Sequence, residues 1–150
     1  MPTLSWMRII HDHLTASTLA DPANFTGRVW RTDYLAPASA EELRGARFEY
    51  EPGARSYWHL HDREQVIVVV AGHGLVAWDG LGEPQFLGPG DWWHVSPAVP
   101  HWHGATSDAT FAHLAVTAGG GTSWLDEVSP EEYAAAVRPV SDTLAEPRKR

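Results

Sequence analysis

A chain of 150 residues with a formal net charge of −8 is long enough for one folded domain, and its acidity argues against nucleic acid or an anionic membrane surface as a partner. The sequence contains no cysteine, which excludes thiolate ligands, thiol nucleophiles and disulfides and fits a reducing compartment. No apolar run reaches transmembrane length, and residues 1–10 lack the apolar stretch of a signal peptide, so we expect a cytoplasmic protein.

The first 24 residues are predicted to form an N-terminal arm, because their hydrophobic periodicity is weak and their polarity is mixed. His11 and His13 stand one residue apart in this arm. No third candidate ligand follows them, so we interpret both as surface histidines.

The middle of the chain, residues 25–118, is predicted to be a single all-β core. Segments that alternate apolar and polar residues, or run apolar between turns rich in Gly and Pro, are typical of strands. They fall at residues 25–34, 43–50, 56–61, 65–71, 75–78, 84–87, 92–95, 102–105 and 110–117. Such regular spacing indicates a sandwich or a barrel.

Residues 119–150 are predicted to leave the core through a Gly-Gly-Gly turn and to form one short helix. Ser129, followed directly by a proline, is typical of a helix N-terminus, where serine caps the helix and proline fits its first turn. We expect the helix to span residues 130–138 and to end before Pro139, because the proline ring blocks continuation. The basic tail that follows is expected to be disordered.

Four residues are candidate metal ligands. His59 and His61 are one residue apart in a predicted strand, so both rings point to the same face. Gln65 opens the next strand on the inner face, and the neighbouring Glu64 then faces out. The alternative is that Glu64 is the ligand and that the Gln65 amide only supports it from outside the ligand set. His101 follows a later turn, and three imidazoles with one oxygen donor suit several divalent metals, Mn included.

The spacing of these ligands resembles the two-motif signature of the cupin superfamily over residues 45–117. The first motif is Gly-x5-His-x-His-x3-(Glu/Gln) and the second is Pro-Gly-Asp-x9-His; the matching residues are Gly53, His59, His61 and Gln65, then Gly90 and His101. Two departures are Gln65 in place of the usual acid, and Ser96 and Ala98 in place of the usual Pro and Gly. The resemblance implies an all-β fold, a cupin jelly-roll barrel with a short C-terminal helix.

A narrower resemblance rests on the glutamine ligand, on Trp102 between two histidines, and on the run Ala-His-Leu-Ala around His113. This variant resembles the small bacterial single-domain cupins related to carboxymuconolactone decarboxylase-associated cupins, some of which are manganese-dependent hydroxynitrile lyases. The resemblance implies a functional histidine at His113, which we expect to transfer a proton. It also implies a homodimer formed through N-terminal strands, which would cover an exposed edge along residues 25–34.

Residues on the inner faces of the strands near the ligands are expected to line a substrate pocket; they are Ala46, Phe48, Ala115 and Thr117. The two small side chains at the end of this set leave room for a substrate beside His113. His103 is expected to support the ligand His101 or its loop. His94 is a further candidate for a supporting role if its strand face looks inward.

The charge of the predicted site indicates its chemistry. Neutral imidazoles and a neutral amide leave a divalent metal its full charge, which polarises a carbonyl or stabilises an anion such as cyanide. A neutral His113 can then remove or return a proton. We therefore predict a metal-dependent lyase acting on a small apolar or aromatic substrate, with one Mn or Fe ion, Ni possible and Zn less favoured. Two alternatives stay open: a non-haem iron dioxygenase, and a cupin that binds a small molecule without turnover.

Overall fold

The computed structural model describes residues 7–143, with side chains described as far as residue 138. The predicted disordered tail lies outside the described residues. A short 3-10 helix, Asp12–Leu14, precedes the strands. The strands are β1 (Ser17–Leu19), β2 (Phe25–Thr26), β3 (Val29–Leu35), β4 (Arg44–Tyr50), β5 (Arg55–Ser56), β6 (His59–His61), β7 (Gln65–Gly72), β8 (Gly74–Trp78), β9 (Gln85–Leu87), β10 (Trp92–Val95), β11 (His101–Ala105), β12 (Phe111–Thr117) and β13 (Thr122–Trp124). The helix α1 (Pro130–Thr143) follows them. The predicted all-β class with a C-terminal helix is confirmed.

The first sheet has the strand order β1-β3-β4-β12-β7-β10, and its pairs are antiparallel. Side chains alternate between the two faces of a strand, and the burial of β7 follows this rule. Gln65, Ile67 and Val69 are buried on the inner face, whereas Val70 on the outer face is exposed. The inner face of β7 therefore carries Gln65, Ile67 and Val69, as alternation predicts, and Gln65 is the first residue of the strand.

The second sheet runs β13-β6-β11-β5-β2, and β8 pairs with β11 and with β9. It faces the first sheet across a core of buried apolar side chains, which includes Phe25, Val29, Tyr50, Val69, Val76, Leu87 and Phe111. β13 extends this sheet beyond residue 118, because Thr122 pairs with His61 and Trp124 pairs with His59. The segment after the predicted core thus returns to the strand that carries two of the candidate ligands.

The two sheets form an open sandwich, so the expectation of a closed barrel is wrong. Within residues 7–143, no backbone pairing joins the edge strand β10 to the second sheet. The rings of Trp93 on β10 and Trp78 on β8 stack with centroids 5.9 Å apart. The two indoles therefore pack against each other between two sheet edges that no backbone pairing joins among the described residues.

Two of the predicted strands are each divided between elements. The predicted strand 25–34 breaks at Gly27, whose φ of +78° is in the region that favours glycine. The break sends β2 to the second sheet and β3 to the first. The predicted strand 56–61 likewise divides into β5 and β6, which both pair with β11.

The N-terminal segment contributes an edge strand to the first sheet. β1 pairs with β3, with Ser17 opposite Thr32 and Leu19 opposite Trp30. The expectation that residues 25–34 present an exposed edge is therefore wrong, because β1 covers that side of β3. β1 itself is the edge of the sheet, and its three residues are exposed. A strand of three residues is too short for alternation to reveal it in the sequence.

The helix α1 covers the outer face of the second sheet. Ser129 caps it as predicted, because the backbone N–H of Glu132 donates to Ser129 Oγ over 3.1 Å. Trp102, only 1% exposed, packs with Val128 and Ala136 in the contact between sheet and helix. This contact turns the indole of Trp102 away from the inner face on which its neighbouring histidines lie.

The helix continues past Pro139 to Thr143, so the predicted end before this proline is wrong. Proline removes a single backbone donor, and the residues around it keep their helical conformation here. Among residues 7–143, no helix is long and apolar enough to cross a membrane.

Candidate metal centre

Three histidines meet on the inner face of the second sheet. His59 and His61 lie on β6, and His101 on β11 is the direct antiparallel partner of His59. One ring nitrogen from each of the three lies within 4.8 Å of the others. All three residues are buried, with His101 completely inaccessible. Strand alternation and cross-strand pairing thus bring together three of the four predicted ligands, and this group can hold a metal ion.

Each of these rings is fixed by a hydrogen bond at Nδ1. His59 Nδ1 donates to the carbonyl oxygen of Tyr57, and His101 Nδ1 donates to the carbonyl oxygen of Val99, both over 2.8 Å. His61 Nδ1 lies 3.0 Å from Thr122 Oγ1 on β13. Hydrogen bonds at Nδ1 leave Nε2 as the nitrogen with a free lone pair, which is how metal-binding histidines are commonly oriented.

Gln65 presents its carbonyl oxygen as a fourth donor atom. Its Nε2 donates to Thr117 Oγ1 over 2.8 Å, and its Oε1 is buried with no hydrogen-bond partner among the described residues. The Nε2 atoms of His61 and His101 are in the same condition. Buried polar atoms without partners are uncommon in folded proteins, and a metal ion would satisfy all of these. The donor set therefore fits a bound metal ion.

Glu64 and His94 both face away from the histidine group. Their side chains are well exposed, and His94 Nε2 lies 2.7 Å from Glu64 Oε2 on the outer face of the first sheet. The structure therefore places Gln65, and not Glu64, beside the histidines. The side chain of His94 also points outward. It contacts Glu64 and not the histidine group that it was expected to support.

Burial keeps the histidines of the centre neutral. The pKa of His61 is lowered to about 4, first by burial and then by electrostatic repulsion from His101 and from Arg44. Burial also lowers the pKa of His101, and that of His59 falls well below its usual value for the same reason. Imidazole must be neutral to bind a metal, so these shifts favour binding at neutral pH.

A cavity of about 340 Å³ opens beside the centre, between the two sheets. Its wall includes His59, His61 and Gln65, and it contains the four residues predicted for a substrate pocket, Ala46, Phe48, Ala115 and Thr117. Aromatic side chains of Phe25 and Trp124 add to the apolar part of this wall. Charged residues Arg31, Asp33 and Arg44 also line it. The volume suits a small organic molecule.

His113 lies on β12 behind the wall of this cavity. Its ring stacks on the rings of Phe48 and Tyr50, with centroids 5.5 Å and 5.6 Å away, and is fully buried. Neither ring nitrogen has a hydrogen-bond partner among the described residues. Burial lowers the pKa of His113 to about 4, so the ring is neutral at pH 7. Phe48, the cross-strand partner on which His113 stacks, lines the cavity, whereas His113 is not among the residues of the cavity wall.

His103 joins the two sheets near the centre. Its Nδ1 lies 2.9 Å from the hydroxyl of Tyr50 on the first sheet. Its ring centroid is 5.4 Å from that of His59 and 4.9 Å from that of His113. The hydrogen bond of His103 is therefore made to the opposite sheet, while its ring packs directly against a candidate ligand.

Three residues of the centre are absent from the set that the sequence predicted. Thr122 orients His61, and the ring of Trp124 lies 4.7 Å from that of His59. Both belong to β13, a strand of three residues that gives no periodic signal. Arg44 could have been found, because it precedes Ala46 by two residues on the same strand and so shares its inward face.

Comparison with known proteins agrees with this geometry. A family model described as a cupin domain matches residues 46–126. An (R)-mandelonitrile lyase from Granulicella tundricola is 39% identical over 113 residues, which cover 73% of this chain and 85% of that enzyme. A cupin-like protein of known structure from Thermotoga maritima is 29% identical, with a TM-score of 0.78 over 85% of this chain and 98% of that one. A polyketide cyclase from Streptomyces resistomycificus, 19% identical with a TM-score of 0.69 over 85% of this chain and 91% of its own, shares the fold.

Proposed function

Since this chain belongs to the cupin family, we propose that it is a metal-dependent lyase that cleaves a cyanohydrin, or a related small apolar or aromatic substrate, and catalyses the reverse addition. The observation that carries the proposal is the converging donor set, in which His61 Nε2, His101 Nε2 and Gln65 Oε1 are buried without partners among the described residues. The likeness to a mandelonitrile lyase supports the class of reaction.

The residues that would hold the metal are His59, His61, Gln65 and His101. A divalent ion bound by four neutral donors supplies strong polarisation of a hydroxyl or carbonyl oxygen and attraction for an anion. Imidazole nitrogens suit Fe, Ni and Zn, and the amide oxygen widens the choice toward Mn. We place Mn and Fe first, before Ni and Zn, because the ligand pattern resembles that of manganese-dependent hydroxynitrile lyases.

The chain itself would bind and orient the substrate and move the proton. The apolar wall that includes Ala46, Phe48 and Ala115 holds the organic body and excludes water. His113 is our candidate for proton transfer, since it is neutral and both of its ring nitrogens lack partners within the described part of the chain. It would take the proton of the substrate hydroxyl as the carbon–carbon bond breaks and the electron pair leaves with cyanide. It would then return that proton to cyanide.

The position of Phe48 sets a condition on this role. Phe48 lines the cavity and stacks on His113, which is not part of the cavity wall, so proton transfer would require the phenyl group to rotate aside or a water molecule to bridge the gap. Side-chain rotation of this kind is fast compared with ordinary turnover. Contact between His113 and the substrate would therefore be made during the reaction.

The test combines metal analysis with an assay. Protein purified without added metal should contain one equivalent of Mn or Fe and should release benzaldehyde from mandelonitrile. His59→Ala should lose most of the metal and the activity together. Full metal content in His59→Ala would refute the ligand assignment. Oxygen uptake by the Fe(II) protein with a phenolic substrate, without cyanohydrin cleavage, would assign it instead to the dioxygenases.

A further inference from the structure

Arg44 lies at the mouth of the cavity, close to the candidate metal centre. It is on β4, two residues before Ala46, and it lines the cavity wall. Its Cα partner across the sheet is Thr117, whose hydroxyl accepts the hydrogen bond from Gln65. Thr117 is in turn the Cα partner of Gln65. The three residues therefore form one row across the first sheet, from the guanidinium to the proposed ligand amide.

The guanidinium of Arg44 has donors without acceptors. Its Nε and Nη2 atoms are buried and make no hydrogen bond to any residue in the described part of the chain. Two carboxylates are close by: Asp33 accepts from Arg31 over 2.7 Å, and Asp62 accepts from the backbone N–H of Gly121 over 2.8 Å. Asp62 attracts Arg44 electrostatically but makes no hydrogen bond to its Nε or Nη2. Burial lowers the pKa of Arg44, but a guanidinium stays protonated in proteins. Arg44 thus brings a positive charge with free donors to the cavity.

A buried donor on a charged group that lacks an acceptor carries a free-energy penalty. We therefore expect these N–H groups to bind an acceptor when a ligand occupies the cavity. A guanidinium presents its N–H groups in a planar fork that matches the two oxygens of a carboxylate. The adjacent wall is apolar, with Phe48 and Ala115 on the same sheet face. An organic acid satisfies both requirements, because it has a carboxylate for the fork and a carbon body for the wall.

We propose that Arg44 binds the carboxylate of the substrate, so that the protein acts on a small organic acid. This inference deepens the proposed function and rests on it for the reaction, since the other end of the substrate would carry the hydroxyl or carbonyl that faces the histidines. The binding of a carboxylate at Arg44 stands on the geometry of the guanidinium alone. The distance between Arg44 and the histidine centre would then select substrates by the separation between their carboxylate and their hydroxyl or carbonyl group.

The experiment compares a probe acid with its neutral amide. Phenylacetate and phenylacetamide have nearly the same shape, and phenylacetate lacks the hydroxyl that would help it chelate a metal. Isothermal titration calorimetry on the full chain as purified should show that phenylacetate binds at least about 10-fold more tightly than the amide. Arg44→Gln should weaken phenylacetate binding by about 10- to 100-fold and leave the amide unchanged, as expected for loss of a charge-assisted hydrogen-bond pair.

Arg47→Gln is the matched control. Arg47 lies on the same strand but points to the opposite face, where it pairs with Glu49 over 2.7 Å. This variant makes the same change of net charge, and phenylacetate should bind to it as to the wild type. The melting temperature supplies a second readout. Arg44→Gln should melt close to the wild-type temperature, because the guanidinium makes no hydrogen bond through Nε or Nη2 that could be lost and its attraction to Asp62 is offset by repulsion from Arg31.

Three results would overturn the inference: no binding of phenylacetate, equal binding of phenylacetate by the wild type and Arg44→Gln, or a marked fall in melting temperature that reveals a structural role for Arg44. Calorimetry measures binding without turnover, so the two proposals can fail separately. Failure of cyanohydrin cleavage leaves the Arg44 result standing, and a negative calorimetric result leaves the lyase assay standing.

Discussion

The side-chain amide of Gln65 donates from Nε2 to Thr117 Oγ1 over 2.8 Å, and this contact holds the amide with its nitrogen directed at the hydroxyl. With the nitrogen held by the hydroxyl, Oε1 is left buried and without a partner in the described part of the structure. A threonine on a neighbouring strand thus turns a glutamine into an oxygen donor. Partners of this kind, one step removed from the metal, commonly govern affinity.

Thr117→Val should weaken metal binding. Valine keeps the shape of threonine but cannot accept the hydrogen bond from Gln65, so the amide is free to rotate its nitrogen toward the site. We expect the affinity for Mn to fall by about 10- to 100-fold, measured by competition with a chelator. Thr32→Val, at a buried threonine away from the cavity wall, is the control and should bind Mn as the wild type does. Unchanged affinity in Thr117→Val would show that Gln65 needs no such support.

Gln65→Glu should keep the metal and lose affinity for anions. The carboxylate is also a good ligand for Mn or Fe, but it removes one unit of positive charge from the site. Azide, titrated into the metal-loaded protein and followed by its absorption band or by calorimetry, should therefore bind more weakly to the variant. Tighter azide binding in Gln65→Glu would refute the charge argument.

His113→Ala should retain metal and fold while turnover falls by about 10²- to 10⁴-fold, the usual contribution of one general base. His103→Ala should instead lower the metal content, because the ring of His103 packs against the ring of His59. The measurement is cyanohydrin cleavage together with metal analysis for each variant. Turnover in His113→Ala within a few-fold of wild type would remove this residue from the mechanism.

The metal-free protein should lose stability in acid. The pKa values of His61 and His113 are about 4 in the folded chain, against about 6.5 when unfolded, so the unfolded state binds more protons in that interval. The free energy of unfolding should therefore be highest above pH 6.5 and fall toward pH 4, by about 1.4 kcal/mol per pH unit for each histidine. Urea unfolding at several pH values measures this slope.

His113→Phe provides the control for the pH prediction. Phenylalanine fits among the aromatic neighbours of His113 and does not titrate, so the slope should decrease by about 1.4 kcal/mol per pH unit. Titrating groups that do not interact with His113 cancel in the comparison with the wild type, whereas His59 and His103 lose its repulsion. Parallel curves for the two proteins would show that His113 does not carry the proton difference.

We propose that the protein is a homodimer whose N-terminal segment takes part in the contact. β1 is an edge strand with all its residues exposed, and the segment before it exposes Met7, Ile9 and Leu14. An exposed strand edge with apolar neighbours favours pairing with a second chain. Light scattering at micromolar concentration should give twice the monomer mass. Deletion of residues 1–19, which removes β1 and the segment before it, should yield monomers, and deletion of residues 144–150 should not. A monomeric full-length chain would contradict the proposal.

Spacing and alternation in the sequence predicted much of the centre. The parity of His59 and His61 in a strand, and of Gln65 with Ile67 and Val69, depends only on local backbone geometry, so it can be read from the chain. The structure brings the three histidines together and turns Gln65 inward, with His101 directly opposite His59. The serine cap of the helix was predictable for the same reason, since the cap contact spans only three residues.

The open sandwich, the edge position of β1 and the contacts of β13 were decided by the tertiary structure. Each depends on which distant segments pair, and strands of three residues carry too little pattern to indicate a partner. Trp78 and Trp93 are visible in the sequence as large apolar residues, but only the fold shows that they meet between the sheet edges.

Local sequence thus determined which side chains face inward, because alternation along a strand is a property of a few consecutive residues. The tertiary structure decided what those side chains meet. The parity of Arg44 with Ala46 places it on the cavity wall, yet nothing in the chain indicates that its guanidinium lacks an acceptor. That depends on where the hydrogen bonds of Asp62 go, and its bond to the backbone of Gly121, far along the chain, forms only when the sheets assemble.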